Sequence, residues 1–473
     1  MIPVRGFQGK TVAVFGLGRT GLTAARALKA GGAEVALWDE KAESRDKAAA
    51  EGFRLVDLAH ADWSGFSAIM LSPGVPLTHP KPHWTVDKAK AAGVEILGDI
   101  ELFARTVNAA PAHKRPKVAA ITGSNGKSTT TALLGHVCAR AGKDARVGGN
   151  IGVGVLGLDD MHGGAVYVLE VSSYQLDLTS SLKPNVSVLL NISPDHLDRH
   201  GGMEGYVAAK RRVLLNQGKG DTAVIGVDDA LGQQICTEIT AANRRTIVPI
   251  SSGRAIGRGV YALQGVLYDG SSERVVEVAD LLRARALPGR HNWQNAAAAY
   301  AACRALGIPP MDVADGLLSF PGLPHRMEKV GVIDGVTFIN DSKATNADAA
   351  RQAMSTYPKF FWIAGGVPKA GGIASLADLF PRVAGAFLIG QAAGEFGQTL
   401  DGKAPHEIAA DLASATTRAF AAARAAGGQQ IVLLSPACAS FDQFPDFEAR
   451  GDAFRRIVED LAAPAESAKG RSA

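Results

Sequence analysis

The stretch AAITGSNGKSTTTALL, Ala119 to Leu134, sets the reading of the whole chain. An apolar, β-prone run, Val118 to Ile121, ends at Gly123 and Gly126, where the backbone can turn freely and approach an anion closely. Lys127, Ser128 and Thr129 then open a helix rich in Thr, Ala and Leu. Backbone N–H groups at such a helix start, together with a lysine ammonium, suit a triphosphate, and a Ser or Thr hydroxyl there suits Mg2+. The standard phosphate loop has four residues between its glycines. Gly123 and Gly126 enclose only Ser124 and Asn125. The plainer alternative is a glycine-rich strand-to-helix turn with an accidental lysine, and the coincidence of strand, glycine pair and Gly-Lys-Ser-Thr weighs against it.

Upstream, strands and helices alternate. Thr11 to Phe15 is a predicted strand, GLGRTG (Gly16 to Gly21) a turn, Leu22 to Ala30 a helix, and Glu34 to Trp38 a second strand ending at Asp39. That pattern is the dinucleotide fingerprint, and alone it would suggest a dehydrogenase. The next strand, Ala68 to Leu71, runs into SPGVP (Ser72 to Pro76), a rigid loop at the sheet edge where ligands sit. The reading kept is therefore a nucleotide or pyrophosphate site, with NAD as the lesser alternative. A helix is expected over Glu101 to Thr106 and a linker over Asn108 to Lys117.

Downstream, VGGNIGVG (Val147 to Gly154) is a second glycine loop, and strand AVYVLE delivers Glu170 at its end, placed to reach Mg2+ directly or through water. The strand Val186 to Leu190 leads into Asn191, Asp195, His196, Asp198, Arg199 and His200, a polar loop too dense for an ordinary surface bend. In the helix expected over Met203 to Gln217, projection at about 100° per residue puts Lys210 on the apolar arc with Tyr206, Val213 and Leu214, and turns Arg211 and Arg212 to solvent. An inward lysine either snorkels or is partly desolvated, with a more available neutral amine that can be modified. Asn292 and Asn295, at the mouth of an alanine-rich helix, either cap it or touch a ligand. After FPGLPHRME (Phe320 to Glu328) a second doubly wound unit follows. Its loops DSKATN (Asp341 to Asn346), GGVPKAGG (Gly365 to Gly372) and SPACASFDQF (Ser435 to Phe444) are expected to converge at one sheet edge. The tail from Ala463 is expected to be disordered.

At 473 residues the chain exceeds one hydrophobic core. Lys and Arg number 50 against 46 Asp and Glu, a net charge of +4 without a basic block, which argues against nucleic-acid binding. Cys138, Cys236, Cys303 and Cys438 have no paired metal spacing. The chain shows neither a signal-peptide pattern nor an apolar run long enough to insert in a membrane, so a cytoplasmic protein is expected. A monomer is the expectation, though no sequence feature sets the oligomeric state.

In that order, TGSNGKST, GNIG, LEVSSYQL, NISPDHLDRH, YVAAKRR, GRHNWQN, PHRME, NDSKATN and SPACASFDQF closely resemble the Mur ligase family over almost the whole chain. The short glycine spacing is that family's form of the ATP loop, and DSKATN with SPACAS resembles its D-glutamate-adding branch. The resemblance implies an α/β fold of three domains: a Rossmann-like UDP-substrate domain (1–110), a central P-loop ATPase domain with a mostly parallel sheet (111–323), and a Rossmann-like, doubly wound amino-acid domain (324–473). It implies ATP-driven amide formation through an acyl phosphate, joining D-glutamate to UDP-N-acetylmuramoyl-L-alanine, with two Mg2+ ions. Gly123, Ser124, Asn125, Gly126, Lys127, Ser128 and Thr129 would form the ATP loop. Ser128, Glu170, His196 and a carbamylated Lys210 would hold metal, with Lys127, Glu170, His196 and Lys210 as the catalytic set. Asn295 and Asp341 would meet adenosine and Arg326 the phosphates. Asn150 and His196 would contact the muramoyl substrate, while Gly16, Gly18, Arg19, Thr20, Ser72 and Gly74 hold its pyrophosphate and Asp39 faces uracil. Lys343, Thr345, Lys369, Ser440 and Phe447 would grip D-glutamate. Glu40 and Lys41 stand where a Thr-Arg pair can occur, a departure that bears on the uracil contacts. Another amide ligase of this architecture, such as a folylpolyglutamate synthetase, and a non-catalytic nucleotide-binding module are the rival readings.

Overall fold

The computed structural model describes residues 1–369 and 371–463; the tail expected to be disordered lies, apart from Ala463, outside the described residues. Three sheets organise the chain. The first has four parallel strands in the order Glu34–Trp38, Thr11–Phe15, Ala68–Leu71, Glu95–Leu97. Successive strands leave Thr11–Phe15 in opposite directions, so its switch point lies between Phe15 and Leu71. That is where the crevice of a doubly wound sheet opens.

The second sheet has nine strands. Seven run parallel, in the order Val260–Leu263, Thr246–Ser251, Thr222–Gly226, Val186–Leu189, Lys117–Thr122, Ala165–Glu170, Asp144–Gly149. Two antiparallel strands, Val266–Asp269 and Val276–Asp280, extend the far edge. Its central strands are apolar throughout, as sheets covered on both faces require: Ala165–Glu170 and Val186–Leu189 are buried at every position. One hydrophobic cluster runs through both sheets, from Ile2 and Val14 to Tyr167 and Ile225. By compactness, Met1–Arg283 and Asn292–Phe320 form one unit, and Ala284–His291 with the chain from Pro321 a second.

The second unit holds the third sheet, ordered Glu328–Ile333, Val336–Asn340, Gln430–Leu434, Phe360–Gly365, Val383–Ile389, His406–Ile408. All neighbours but the first pair are parallel. The carboxyl ends of Val336–Asn340, Phe360–Gly365 and Gln430–Leu434 therefore share one edge, as expected for their three loops.

Several boundaries differ from the sequence reading. The first helix starts at Arg19, inside the glycine turn, and the helix expected over Glu101–Thr106 runs Asp99–Ala109, taking Asn108 and Ala109 from the expected linker. The helix from Met203 ends at Arg211 and tightens into a 3-10 turn, Arg212–Leu214, before Gln217. Among the described residues no helix is long and apolar enough to cross a membrane.

Candidate active site

Strand Lys117–Thr122 feeds the phosphate loop, and helix Lys127–Arg140 leaves it. Gly126 has φ 85°, and a Cβ there would stand 2.2 Å from Asn295 Oδ1, so glycine is required on both counts. Asn295 Oδ1 also accepts from Thr130 Oγ1 at 3.2 Å, and its amide donates to Asn292 Oδ1 at 3.0 Å. The pair thus braces the loop; helix Arg290–Ala305 begins two residues before Asn292, which removes the capping role. Ser124 spends its N–H on Asn191 O and its hydroxyl on Ser193 and Tyr206, so its side chain shapes the loop. Asn125 N–H donates to Asn191 Oδ1 at 2.9 Å. Ser128 is buried and Thr129 half-buried on the first helical turn.

Two ammonium groups meet on one carbonyl. Lys127 Nζ donates to Gly123 O at 2.9 Å and to Ser124 O at 2.7 Å, and Lys210 Nζ donates to the same Gly123 O at 2.7 Å. Lys210 is 1% exposed, and its Nζ lies 4.6 Å from the Tyr206 ring centre, as the inward projection required. Burial, reinforced by the charge on Lys127, holds its pKa well below the usual lysine value, against weaker opposing pulls from Asp195 and Glu170. The flanking arginines are not simply solvated: Arg211 pairs with Glu238 at 2.7 Å and Arg212 donates to Thr179 O at 3.0 Å.

Glu170 ends its strand 2% exposed. Its Oε1 accepts from Asn150 Nδ2 at 2.6 Å, and its Oε2 is buried with no hydrogen-bond partner. An orphaned carboxylate oxygen is costly to bury and fits a cation. Among the described residues no group of three or more His, Cys, Asp or Glu could hold a metal by itself. A Mg2+ ion needs no such cage, since it takes most of its oxygens from phosphate and water. His196 sits at φ 53° with its ring 41% exposed, 4.9 Å from the Tyr174 ring and 3.4 Å from Asp195 Oδ2.

A cavity of about 360 Å3 lies at the switch point of the first sheet. It brings together Gly16, Gly18, Arg19, Thr20, Ser72, Gly74 and Asn150 from the sequence reading, and adds Pro73, Gly149, Ser172, Tyr174 and Gln175. Ser72 Oγ donates to Gly16 O at 2.6 Å, and a Cβ on Gly21 would fall 1.9 Å from the same oxygen, so the turn is held tight. Asp39 does not line this cavity. Its carboxylate accepts from Leu17 N–H at 2.6 Å and Lys41 N–H at 2.8 Å, which braces the turn. Arg199, not singled out as a binding residue, donates to Gly74 O at 2.9 Å and covers the Tyr174 ring at 4.7 Å. The motifs LEVSSYQL and DHLDRH drew attention to these segments, but nothing in one chain ranks Tyr174, Gln175 or Arg199 above their neighbours.

In the second unit, Asp341 N–H bonds Leu434 O at 2.7 Å, and Asp341 accepts from Ser435 Oγ at 2.8 Å and from Met327 N–H at 3.2 Å. Burial pushes its pKa up to about 7, against those bonds and nearby Arg326. Lys343 Nζ lies 3.7 Å from the Phe447 ring centre, a cation–π contact between two predicted binding residues. Thr345 N–H bonds Lys343 O at 2.8 Å, Ser440 is buried, and Lys369 is exposed. Below them the buried Arg450 guanidinium donates to Ser342 Oγ, Ser342 O and Cys438 O, tying DSKATN to SPACAS.

Comparison with known proteins matches these regions one after another. The model of the Mur ligase MurD-like N-terminal domain matches residues 10–98, that of the Mur ligase middle domain residues 121–303, and that of the Mur ligase glutamate ligase domain residues 325–438. The UDP-N-acetylmuramoylalanine--D-glutamate ligase of Caulobacter sp. (strain K31) is 77% identical over 465 residues, 98% of this chain and 99% of that protein. Its namesake in Nitrobacter hamburgensis is 52% identical over 462 residues, 98% of each. Among solved structures, UDP-N-acetylmuramate-alanine ligase MurC of Thermotoga maritima aligns with a TM-score of 0.59 at 18% identity, over 96% of this chain and 99% of that one. MurF ligase from the same organism, solved with ADP, aligns with a TM-score of 0.57 at 17% identity over 98% of each chain. Those two share the fold; the sequence relatives share most positions along nearly the full length, and on that ground the chain belongs to the Mur ligase family.

Proposed function

We propose that this chain is an ATP-dependent amide ligase that adds D-glutamate to UDP-N-acetylmuramoyl-L-alanine, a cytoplasmic step of peptidoglycan synthesis. The observation that carries the chemistry is the meeting of Lys127 and Lys210 Nζ on Gly123 O, in the unit that also buries an orphaned Glu170 oxygen. Lys127 brings a cation to the phosphate loop, and the unpartnered Glu170 oxygen fits a metal ion. The full-length likeness to D-glutamate ligases supports the choice of amino acid.

ATP supplies a γ-phosphoryl group that turns the L-alanyl carboxylate into an acyl phosphate. The neutral D-glutamate amine then attacks that carbonyl; the C–N bond forms, the C–O bond to phosphate breaks, phosphate leaves, and the nitrogen gives up one proton and keeps the other as the amide N–H. No protein nucleophile is needed, and the chain's task is to hold anions in line while charge moves. Lys127 and the helix start behind Gly126 would take the phosphates, with Asn295, Arg326 and Asp341 around the nucleotide. Ser128, Glu170, His196 and a carbamate on Lys210 would hold Mg2+, which supplies charge neutralisation at the transferring phosphoryl group. The lowered pKa of Lys210 favours the neutral amine that carbamate formation with CO2 requires, with loss of one proton. Residues 1–110 would carry the sugar nucleotide in the 360 Å3 cavity, with Asn150 facing the muramoyl part. Residues 324–473 would hold D-glutamate through Lys343, Thr345, Lys369, Ser440 and Phe447.

The test is phosphate release with UDP-N-acetylmuramoyl-L-alanine and ATP across a panel of amino acids. Turnover with D-glutamate alone is expected. Turnover with L-alanine or diaminopimelate, or none with any amino acid, rejects the assignment.

A further inference from the structure

Gln175 lines the cavity read above as the sugar-nucleotide subsite, and its carboxamide is hydrogen-bonded within the protein. It is 2% exposed, and its Nε2 donates to both oxygens of Asp99, at 3.1 and 3.3 Å. Its Oε1 accepts from Ser172 N–H and Ser172 Oγ, both at 3.2 Å, while its own N–H returns to Ser172 Oγ at 3.2 Å. An ionised carboxylate only accepts. Asp99 therefore dictates which end of the Gln175 amide faces inward, and hence which end closes the capping box on Ser172. Ser172, Tyr174 and Gln175 together form the cavity wall contributed by this segment.

Asp99 is an expensive residue to keep there. It is 2% exposed, starts helix Asp99–Ala109, and among the described residues no cation pairs with it. Burying a carboxylate without a cation costs free energy that an apolar residue of similar size would not. Among the described residues its one side-chain partner is Gln175. The other end of the same segment is held separately: Glu101 accepts from Ser180 N–H at 2.8 Å and Ser181 N–H at 2.9 Å, and Gly98 N–H bonds Leu178 O at 3.2 Å. Packing and backbone bonding thus anchor the segment without Asp99; its carboxylate also takes the Asp99 and Ile100 N–H groups at the helix start, and the partner it reaches beyond its own helix is the Gln175 amide.

We propose that Asp99 is a positioning residue for the sugar-nucleotide subsite, acting through Gln175 and Ser172 on the wall that meets the substrate. This rests on the functional reading above, in which that cavity takes the UDP-linked acid.

The experiment is steady-state kinetics on the full-length chain with Asp99→Asn, Gln175→Glu and the double variant. Asp99→Asn lets the facing amides pair either way round, and a roughly five- to tenfold rise in KM for UDP-N-acetylmuramoyl-L-alanine is expected, the size of one net hydrogen bond. KM for ATP and D-glutamate should stay unchanged, and kcat should move less than about twofold on the same argument. Gln175→Glu sets two carboxylates face to face and is expected to raise that KM further or to prevent folding. The double variant reverses the pair: the amide introduced at position 99 donates, and the carboxylate at position 175 accepts from both sides, bringing KM back toward the wild-type value. An unchanged nucleotide KM in Asp99→Asn, a uniform shift in all three KM values, or a double variant no better than Gln175→Glu overturns the proposal. Failure of the wild-type chain to turn over the UDP-linked acid overturns the functional reading and this proposal together, whereas wild-type turnover with unmoved variant KM values overturns the role of Asp99 alone.

Discussion

Lys210 shows how far a single residue can be read from sequence and where that reading stops. Helical projection alone turns it inward, and it is 1% exposed. What projection does not supply is the partner, because Gly123 O lies 87 residues away and is shared with Lys127. Asp39 illustrates the same limit. A carboxylate at a strand end announces an acceptor, but only the folded turn shows that it takes the Leu17 and Lys41 N–H groups. Ser124 is likewise legible as part of the loop, yet its hydroxyl serves Ser193 and Tyr206. For Lys210 the energetic argument gives a definite outcome. Lys210→Ala removes a charge carrier beside the transferring phosphoryl group, and kcat is expected to fall by roughly two to three orders of magnitude. If the working group is a carbamate, acetate or formate should restore part of the rate and bicarbonate none, since alanine offers no amine to carbamylate. Full activity in the alanine variant would make this lysine a structural donor to Gly123 only.

At the scale of elements, strands are more legible than helix ends. Buried parallel strands such as Ala165–Glu170 and Phe360–Gly365 are continuous apolar runs, and their limits follow from the first polar or glycine residue. Helix ends depend on tertiary bonds: Arg212 donates to Thr179 O, and the helix from Met203 tightens there in place of running on to Gln217. Arg19, with an exposed glycine as its N-cap, begins a helix within GLGRTG, a stretch whose glycines read as turn throughout. The phosphate loop is legible as an element, and its shape has a measurable consequence. Gly126→Ala forces a left-handed alanine, a cost of about 1–2 kcal/mol, and drives Cβ to 2.2 Å from Asn295 Oδ1. Affinity for a non-hydrolysable ATP analogue is expected to drop roughly tenfold or more, since 1.4 kcal/mol is a factor of ten, while affinity for the UDP-linked acid holds. Isothermal titration with each ligand checks both halves. Unchanged ATP affinity in Gly126→Ala would detach the loop's shape from nucleotide binding.

For the molecule as a whole, alternation of strands and helices around three glycine-bearing segments is enough to expect three α/β sheets. Local pattern cannot show that the first two share one hydrophobic cluster while the third belongs to a separate compact unit, because that depends on contacts such as Ile2 N–H to Leu156 O, made across the chain. The chain passes between the units after Arg283, His291 and Phe320, so residues 1–320 contain the whole first unit. That piece keeps the phosphate loop, Glu170, Lys210 and the 360 Å3 cavity, and it lacks DSKATN, GGVPKAGG and SPACASFDQF. Under the proposed division of labour, residues 1–320 should bind UDP-N-acetylmuramoyl-L-alanine within roughly tenfold of the full chain, since one lost peripheral contact is worth about 1.4 kcal/mol. D-glutamate-dependent phosphate release should vanish, because the groups assigned to the amine donor are gone. Calorimetric titration and a phosphate assay on the same preparation separate the two. If residues 1–320 consumed D-glutamate, the amino-acid site would have to be sought in the first unit, and Lys343, Thr345, Lys369, Ser440 and Phe447 would lose their assignment.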